Sequence, residues 1–217
     1  MQKSNSFKSQ KPVIAIDGTA GSGKGTLAKK LANLIKFDHL DTGLLYRICA
    51  LEMLERTVKL ENLDIASWLD KHKDLSILRS EKVSKETSKI SKDPKVRKFL
   101  LKFQRDFADY PPNGFGSVVD GRDIGSIVFP NAEVKFYIDA SPMIRAKRRM
   151  KELSLKSSDY SKILKNIIER DNQDKSRKNS PLLKTETAFV IDSSNLDIEE
   201  ALEYAINILK KNTEFIK

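Results

Sequence analysis

Short apolar runs alternate with longer stretches of helical periodicity along most of the chain. Val13-Ile14-Ala15-Ile16-Asp17 is almost continuously apolar, the pattern of a strand buried on both faces. A glycine-rich turn, Gly18 to Gly23, follows. From Lys24 the residues Leu27, Leu31, Leu34 and Ile35 fall on one helical stripe. A second helix fits Gly43 to Arg56, by Leu44, Leu45, Ile48, Leu51 and Leu54, and a third fits Ile65 to His72. Residues 73–93 are charged and serine-rich, with weak periodicity. Val96, Phe99, Leu100, Phe103 and Phe107 make Lys95 to Tyr110 helical, with Pro94 at its start and Pro111, Pro112 and Gly114 to stop it. Ser117–Asp120, Val134–Ile138 and Phe189–Asp192 read as further short strands. Pro142–Lys156 and Tyr160–Asp174 read as basic helices, and Ile198, Ala201, Leu202, Ala205, Ile206 and Leu209 define a closing helix.

Strands that alternate with helices predict an α/β fold, a parallel sheet covered by helices on both faces. Ligands of such sheets lie beyond the carboxyl ends of the strands. Asp17, Asp120 and Asp192 each end an apolar strand, where polar chemistry is expected, although aspartate after a strand is also a common turn former.

Composition narrows the class. With 217 residues, 39% of them apolar and 32% charged, the chain is the size of one ordinary globular domain, neither disordered nor membranous. No apolar run approaches the ~20 residues of a membrane helix. Residues 1–11 carry three lysines and no apolar segment, and are expected to form a loose basic tail before one domain over 12–217. A lone cysteine, Cys49, forms no internal disulfide and reads as a small buried residue on a helix, which suits a reducing cytoplasm. His39 and His72 read as structural or surface residues, whose spacing makes no metal site with Cys49. The net charge of +10 points to anionic partners without naming them. The lysines are dispersed, as on a solvated surface.

The chemistry starts at Gly18-Thr19-Ala20-Gly21-Ser22-Gly23-Lys24, which has the spacing G-x-x-x-x-G-K between a strand and a helix. Backbone N–H groups of such a loop, backed by the helix N-terminus, hold phosphate oxygens, and the lysine reaches the outer phosphates. The next residues are Gly25 and Thr26, where many nucleotide hydrolases place a metal-binding hydroxyl directly after the lysine. Gly-Lys-Gly-Thr resembles instead the loop of nucleoside monophosphate kinases.

A phosphate loop identifies a donor, and other segments must identify the acceptor. Asp41-Thr42-Gly43-Leu44-Leu45-Tyr46-Arg47 sets a hydroxyl at a helix start and an arginine about a turn later, as any capped helix with a surface arginine also does. Asp120-Gly121-Arg122-Asp123-Ile124-Gly125 puts two carboxylates around an arginine after a buried strand. Arg170, Asp174 and Arg177 share one helical face, which fits either a polar site or a salt-bridged surface. Ser88 and Arg97 are unremarkable taken singly.

Together these segments closely resemble the bacterial cytidylate kinases, from about Val13 to Leu209. The sharpest matches are IDGTAGSGKGTLA, LDTGLLYR, VVDGRDIGSIVFP and ERDNQDKSR. The resemblance implies a three-layer P-loop fold with a five-stranded parallel sheet, an acceptor-binding region over 42–110 and a short lid over about 142–170. It implies that Gly18, Thr19, Ala20, Gly21, Ser22, Gly23, Lys24, Gly25 and Thr26 cradle the phosphates of ATP. Ser88, Arg97 and Asp123 would read the cytosine edge, and Arg170 and Asp174 would hold the ribose. Thr42, Arg47, Arg122 and Arg177 would grip phosphate, with Tyr46 in the same acceptor-binding set. Asp120 resembles the strand-end aspartate that orients Mg²⁺ through water. A cytosine edge offers an N4 donor beside N3 and O2 acceptors, which a carboxylate and hydroxyl or guanidinium donors match.

Two features differ from the family pattern. The stretch from Trp68 to Ile77 is too short for most of the small antiparallel insert that relatives carry, so the acceptor region is reduced. Lys89 stands beside Ser88, where relatives often have a neutral amide. The mechanism implied is in-line transfer with Lys24, Arg122, Arg170 and Arg177 around the moving phosphoryl group and no general base. The helix from Pro142, with Arg145, Lys147, Arg148 and Arg149, is the expected lid. The expected protein is a cytoplasmic monomer that acts on CMP or dCMP and ATP and binds neither nucleic acid nor membrane. Rival readings are a P-loop kinase for another small acceptor and an ATP-switched nucleic-acid-binding protein. The second lacks any helix-turn-helix or stacking motif.

Overall fold

The structure, a computed structural model, describes residues 9–55, 59–72, 74–154 and 156–216. Residues 1–8 of the expected tail and Arg56 of the second expected helix lie outside them. The chain divides into two compact units, Met1–Leu40 with Phe107–Lys217, and Asp41–Asp106.

The first unit is built on a sheet of five strands, β1 (Val13–Gly18), β2 (Asp38–Asp41), β3 (Ser117–Gly121), β4 (Val134–Asp139) and β5 (Ala188–Asp192), in the order β2-β3-β1-β4-β5. The pairs β1–β3, β1–β4 and β4–β5 are parallel. Every residue of β1 and β3 is buried, as their unbroken apolar sequences predict. Ile14, Ile16, Val118, Phe136 and Ile138 form a core cluster with Leu27, Ala28 and Leu31 of α1 (Lys24–Ile35) and Ala201, Ala205 and Leu209 of the closing helix (Ile198–Asn212). Asp197 and Glu200 form a capping box at the start of the latter.

The sequence pattern omits β2. Its four residues, Asp-His-Leu-Asp, bury only Leu40, so no apolar run marks it. Pairing beside β3 makes it a strand, and the sequence does not show that neighbour.

The second unit is helical: α2 (Thr42–Glu55), α3 (Ile65–Lys71), α4 (Glu81–Ile90) and most of α5 (Pro94–Asp109). Cys49 is fully buried on α2, as expected. Trp68 donates its indole N–H to Glu52 at 2.6 Å, and His72 stacks on Trp68 with ring centroids 4.0 Å apart. The described residues between Trp68 and Ile77 form no strand, in keeping with a reduced insert. Within the weakly periodic stretch 73–93 the structure forms α4. Its buried stripe is only Val83, Thr87 and Ile90, with a threonine in the middle, and Ser80 caps it by accepting from the N–H of Val83. Asp93 accepts from the N–H of Lys95 at 2.7 Å, so an aspartate followed by proline starts α5.

Two further helices complete the first unit, α6 (Pro142–Glu152) and α7 (Tyr160–Lys175), and the closing helix becomes α8. A five-residue π-helical turn, Ile124–Val128, follows β3.

Candidate active site

The phosphate loop begins where β1 meets β4. A Cβ on Gly18 would lie 2.0 Å from the carbonyl oxygen of Ile138, so only glycine fits this approach. Gly23 takes a left-handed conformation, φ 88°, and passes the chain directly into α1 at Lys24. It brings no side chain to compete for the first N–H groups of the helix.

Donors from later elements hold the loop's carbonyls. Arg145 of α6 is 2% exposed and bonds through Nη1 to the carbonyl of Ala20 at 3.1 Å. Its Nε donates to the carbonyl of Ala140 at 2.7 Å, and the rest of the guanidinium forms a bidentate pair with the buried Asp171 of α7. Arg148 bonds to the carbonyl of Ser22 at 3.4 Å and to Oγ of Ser193 at 3.0 Å, and Ser193 itself donates to the Ser22 carbonyl at 2.7 Å. Thr19 donates its hydroxyl to Asp139 at 2.7 Å, and Ser22 donates to the carbonyl of Thr19 at 3.0 Å. Acceptors that would repel an anion are thereby occupied.

This arrangement changes the expected face of α6. Arg145 and Arg148 are committed to the loop, whereas Lys147 is exposed and Arg149 pairs with Glu152 at 2.8 Å. The helical spacing lists four cations, but it does not say which of them turn inward.

Three strand-end aspartates were candidates. Asp192 is exposed and accepts from the N–H and hydroxyl of Ser194, so it is a turn former. Asp120 is 3% exposed and lies 2.8 Å from Nε2 of His39. A Cβ on Gly25 would stand 3.7 Å from Asp120 Oδ2, so this carboxylate faces the position just after the loop lysine. His39 is the residue that sequence reading missed. It sits on β2, and only the strand order brings it beside Asp120. Asp17 is buried and accepts two backbone N–H groups, from Ile124 and Gly125, both at 2.7 Å. Burial pushes its carboxyl up to about 7, against the pull of those amides and of Arg122, and Asp123 adds to the rise.

The structure gathers Arg122, Arg170, Asp174 and Arg177. Asp174 is fully buried. Its Oδ2 accepts from Nε of Arg122 at 3.0 Å, and its Oδ1 accepts from Arg177. Burial alone would raise its carboxyl, yet the guanidiniums of Arg122, Arg177 and Arg170 together hold it below the usual range. Three guanidinium charges thus act on this one carboxylate. Nε of Arg177 is buried with no acceptor among the described residues, a donor suited to an anion.

In the Asp41–Asp106 unit, Asp41 accepts from the N–H of Leu44 at 3.0 Å and fixes the start of α2, with Thr42 buried beside it. Arg47 donates to the carbonyl of Leu78 at 2.7 Å and to Oγ of Ser84 at 2.9 Å. The guanidinium of Arg97 lies over the Tyr46 ring, 5.9 Å from its centroid, and bonds to the carbonyl of Ser91 at 3.2 Å. Ser88 is half-buried on α4. Lys89 is exposed and pairs with Glu86 at 3.3 Å.

The family model for cytidylate kinase matches residues 14–211. The chain belongs to the cytidylate kinase family. It is 45% identical to the cytidylate kinase of Bartonella bacilliformis over 204 residues, covering 91% of this chain and 94% of that one. To the cytidylate kinase of Vibrio cholerae it is 41% identical, covering 94% and 98%. Among solved structures, a shikimate kinase from Bacteroides thetaiotaomicron superposes with a TM-score of 0.53 at 12% identity, covering 92% of this chain and 98% of that chain. That likeness shows a fold shared well beyond sequence similarity. Every segment discussed above, from the loop of the cytidylate kinase pattern to Arg177, falls inside the matched range.

Proposed function

We propose that this protein transfers the γ-phosphoryl group of ATP to CMP and dCMP, and that it works as a cytoplasmic monomer without nucleic-acid or membrane partners. The observation that carries the reading is the arginine cluster around buried Asp174 in a chain of the cytidylate kinase family. The acceptor phosphate is already anionic, so no base is needed. The protein must hold two polyanions in line and neutralise them.

In this reading the backbone of Gly18–Thr26 binds the ATP phosphates and Lys24 reaches the outer ones. Arg122, Arg170 and Arg177 stabilise charge on the group in transit. Arg122 and Arg177 are fixed before substrate arrives because Asp174 accepts from both, with the charge of Arg170 near them, which spares reorganisation during the reaction. Asp174 and Arg170 hold the ribose; a carboxylate oxygen that accepts from one arginine keeps capacity for a hydroxyl. Thr42, Tyr46 and Arg47 serve the acceptor phosphate, while Ser88, Arg97 and Asp123 read the base. A single buried carboxylate, Asp120, fits Mg²⁺, which keeps several waters and takes few protein ligands. Bound there, Mg²⁺ would neutralise charge on the ATP oxygens. The lid role of about 142–170 falls to outward charges such as Lys147 and Arg149, since Arg145 and Arg148 brace the loop. Closure over the substrates would exclude water and suppress ATP hydrolysis.

The test is a coupled assay of ADP formation with Mg²⁺ and CMP, dCMP, UMP, AMP, GMP or shikimate, using wild type and Asp123→Ala. CMP or dCMP is expected to dominate, and the variant to lose that preference. Preference for AMP or shikimate would leave only the donor half of the reading.

A further inference from the structure

Asp17 has no part in the mechanism above, yet its contacts reach the residue given the task of base selection. It lies one residue before the phosphate loop and is 4% exposed. Its Oδ1 accepts the N–H of Ile124 and its Oδ2 the N–H of Gly125, each at 2.7 Å. These are the first two amides after Asp123 and the opening of the π-helical turn Ile124–Val128. Asp123 holds the N-cap position of that turn but makes no cap bond with its own side chain. The cap comes from a residue 107 positions earlier. A carboxylate at an N-cap ordinarily spends itself on the amides that follow. Here a second carboxylate does that work, so the side chain of Asp123 is not used as the cap. Two consecutive amides held by two oxygens of one rigid, buried group also fix the direction in which Asp123 leaves the backbone.

We propose that Asp17 is a positioning residue for acceptor selection, which caps the turn after Asp123 from the neighbouring strand and so aims the Asp123 carboxylate at the base. The proposal rests on the reading of Asp123 as the group that recognises cytosine. The charges that face Asp17 come from the loop after β3, where Asp123 and Arg122 oppose each other, and from Lys135 of β4, whose Nζ donates to the carbonyl of Pro130. With its carboxyl raised to about 7, Asp17 is anionic above neutrality. Below it, one oxygen carries a proton and faces an amide N–H, so one cap bond is lost.

The experiment compares kcat/KM for CMP with that for UMP in wild type, Asp17→Asn, Asp123→Asn and the double variant. Asparagine keeps the shape of Asp17 but sets an NH₂ group against an amide donor. Asp17→Asn is expected to lower the CMP-to-UMP ratio about tenfold, with the KM for ATP changed less than about twofold. In the Asp123→Asn background the same change is expected to leave the ratio where Asp123→Asn put it, because Asp17 acts through Asp123. If Asp123→Asn itself leaves the ratio at the wild-type value, the base-reading assignment fails whatever Asp17 does. If Asp123→Asn collapses the ratio while Asp17→Asn keeps it, or lowers both substrates equally, the role of Asp17 is overturned. Should Asp17→Asn not fold, the wild-type ratio between pH 8 and 6 decides. The phosphate ionisations of CMP, UMP and ATP cancel in it. A fall centred near 7 supports the proposal, and a flat profile overturns it.

Discussion

Around the loop of residues 18–26, the carbonyls of Ala20 and Ser22 are held by side chains from distant elements, the buried Arg145 and Ser193 and the half-buried Arg148. In the Asp41–Asp106 unit the corresponding cations, Arg47 and Arg97, bond to carbonyls and a serine of the helices around them, and several of the polar residues are half-exposed. One region is braced by the buried Arg145–Asp171 pair, neither member of which can be removed singly without leaving a buried charge, and by Arg148 and Ser193. The other is assembled from helix ends and short local bonds. The contrast suits the two tasks proposed for them. A phosphate cradle gains from a rigid backbone, since its ligands are N–H groups. The acceptor-phosphate and base contacts proposed for Thr42, Arg47, Ser88 and Arg97 come from side chains, and their supporting helices need only set their origins.

Lys24→Ala is expected to lower kcat by roughly 10²–10³-fold, since it removes charge stabilisation at the transferred group, and a steady-state assay at saturating CMP checks it. Arg145→Ala leaves Asp171 buried and unpaired, so it should cost about 3–5 kcal/mol of stability in urea unfolding. Arg149→Ala on the same helix breaks an exposed pair and should stay within about 0.5 kcal/mol.

The pH dependence of stability follows from Asp17. Its carboxyl ionises at 3.8 in the unfolded chain and at about 7 in the fold. Folding therefore takes up a proton between those values. The stability this group contributes is complete below pH 3.8, falls as pH rises, and is gone above about 7, a change of order 4 kcal/mol. Unfolding of Asp17→Asn followed from pH 4 to 8 should lack this slope. Asp174, whose carboxyl is lowered, acts in the opposite sense, and its contribution is lost only as pH falls below the ordinary carboxylate range. Smaller still, Arg97→Ala should raise the KM for CMP about tenfold while leaving that for ATP within about twofold, by initial-rate kinetics. Ser80→Ala should cost about 1 kcal/mol through the lost cap of α4.

Much of this was legible in the chain. The unbroken apolar runs at Val13 and Ser117 mark the central strands because burial on both faces admits little else. The spacing from Gly18 to Lys24 points to a phosphate cradle because few sequences satisfy its steric demands. The five residues of β2 and α4 that matter most, His39, Leu40, Val83, Thr87 and Ile90, were not legible as elements. Each depends on a neighbour that only tertiary pairing supplies. The same holds for the inward turn of Arg145 and for the cap that Asp17 lends to Ile124 and Gly125. A run of cations on a helix says little about which of them are buried, and contacts between residues more than a hundred positions apart leave no local trace.

The most direct test of the account follows the phosphoryl group itself. Wild-type protein is incubated with Mg²⁺, ATP labelled in its γ-phosphate and CMP, and the products are separated. Label is expected in the terminal phosphate of CDP, with little released as free phosphate. Label confined to inorganic phosphate, or transferred to AMP or shikimate in preference to CMP when they are supplied together, would contradict it.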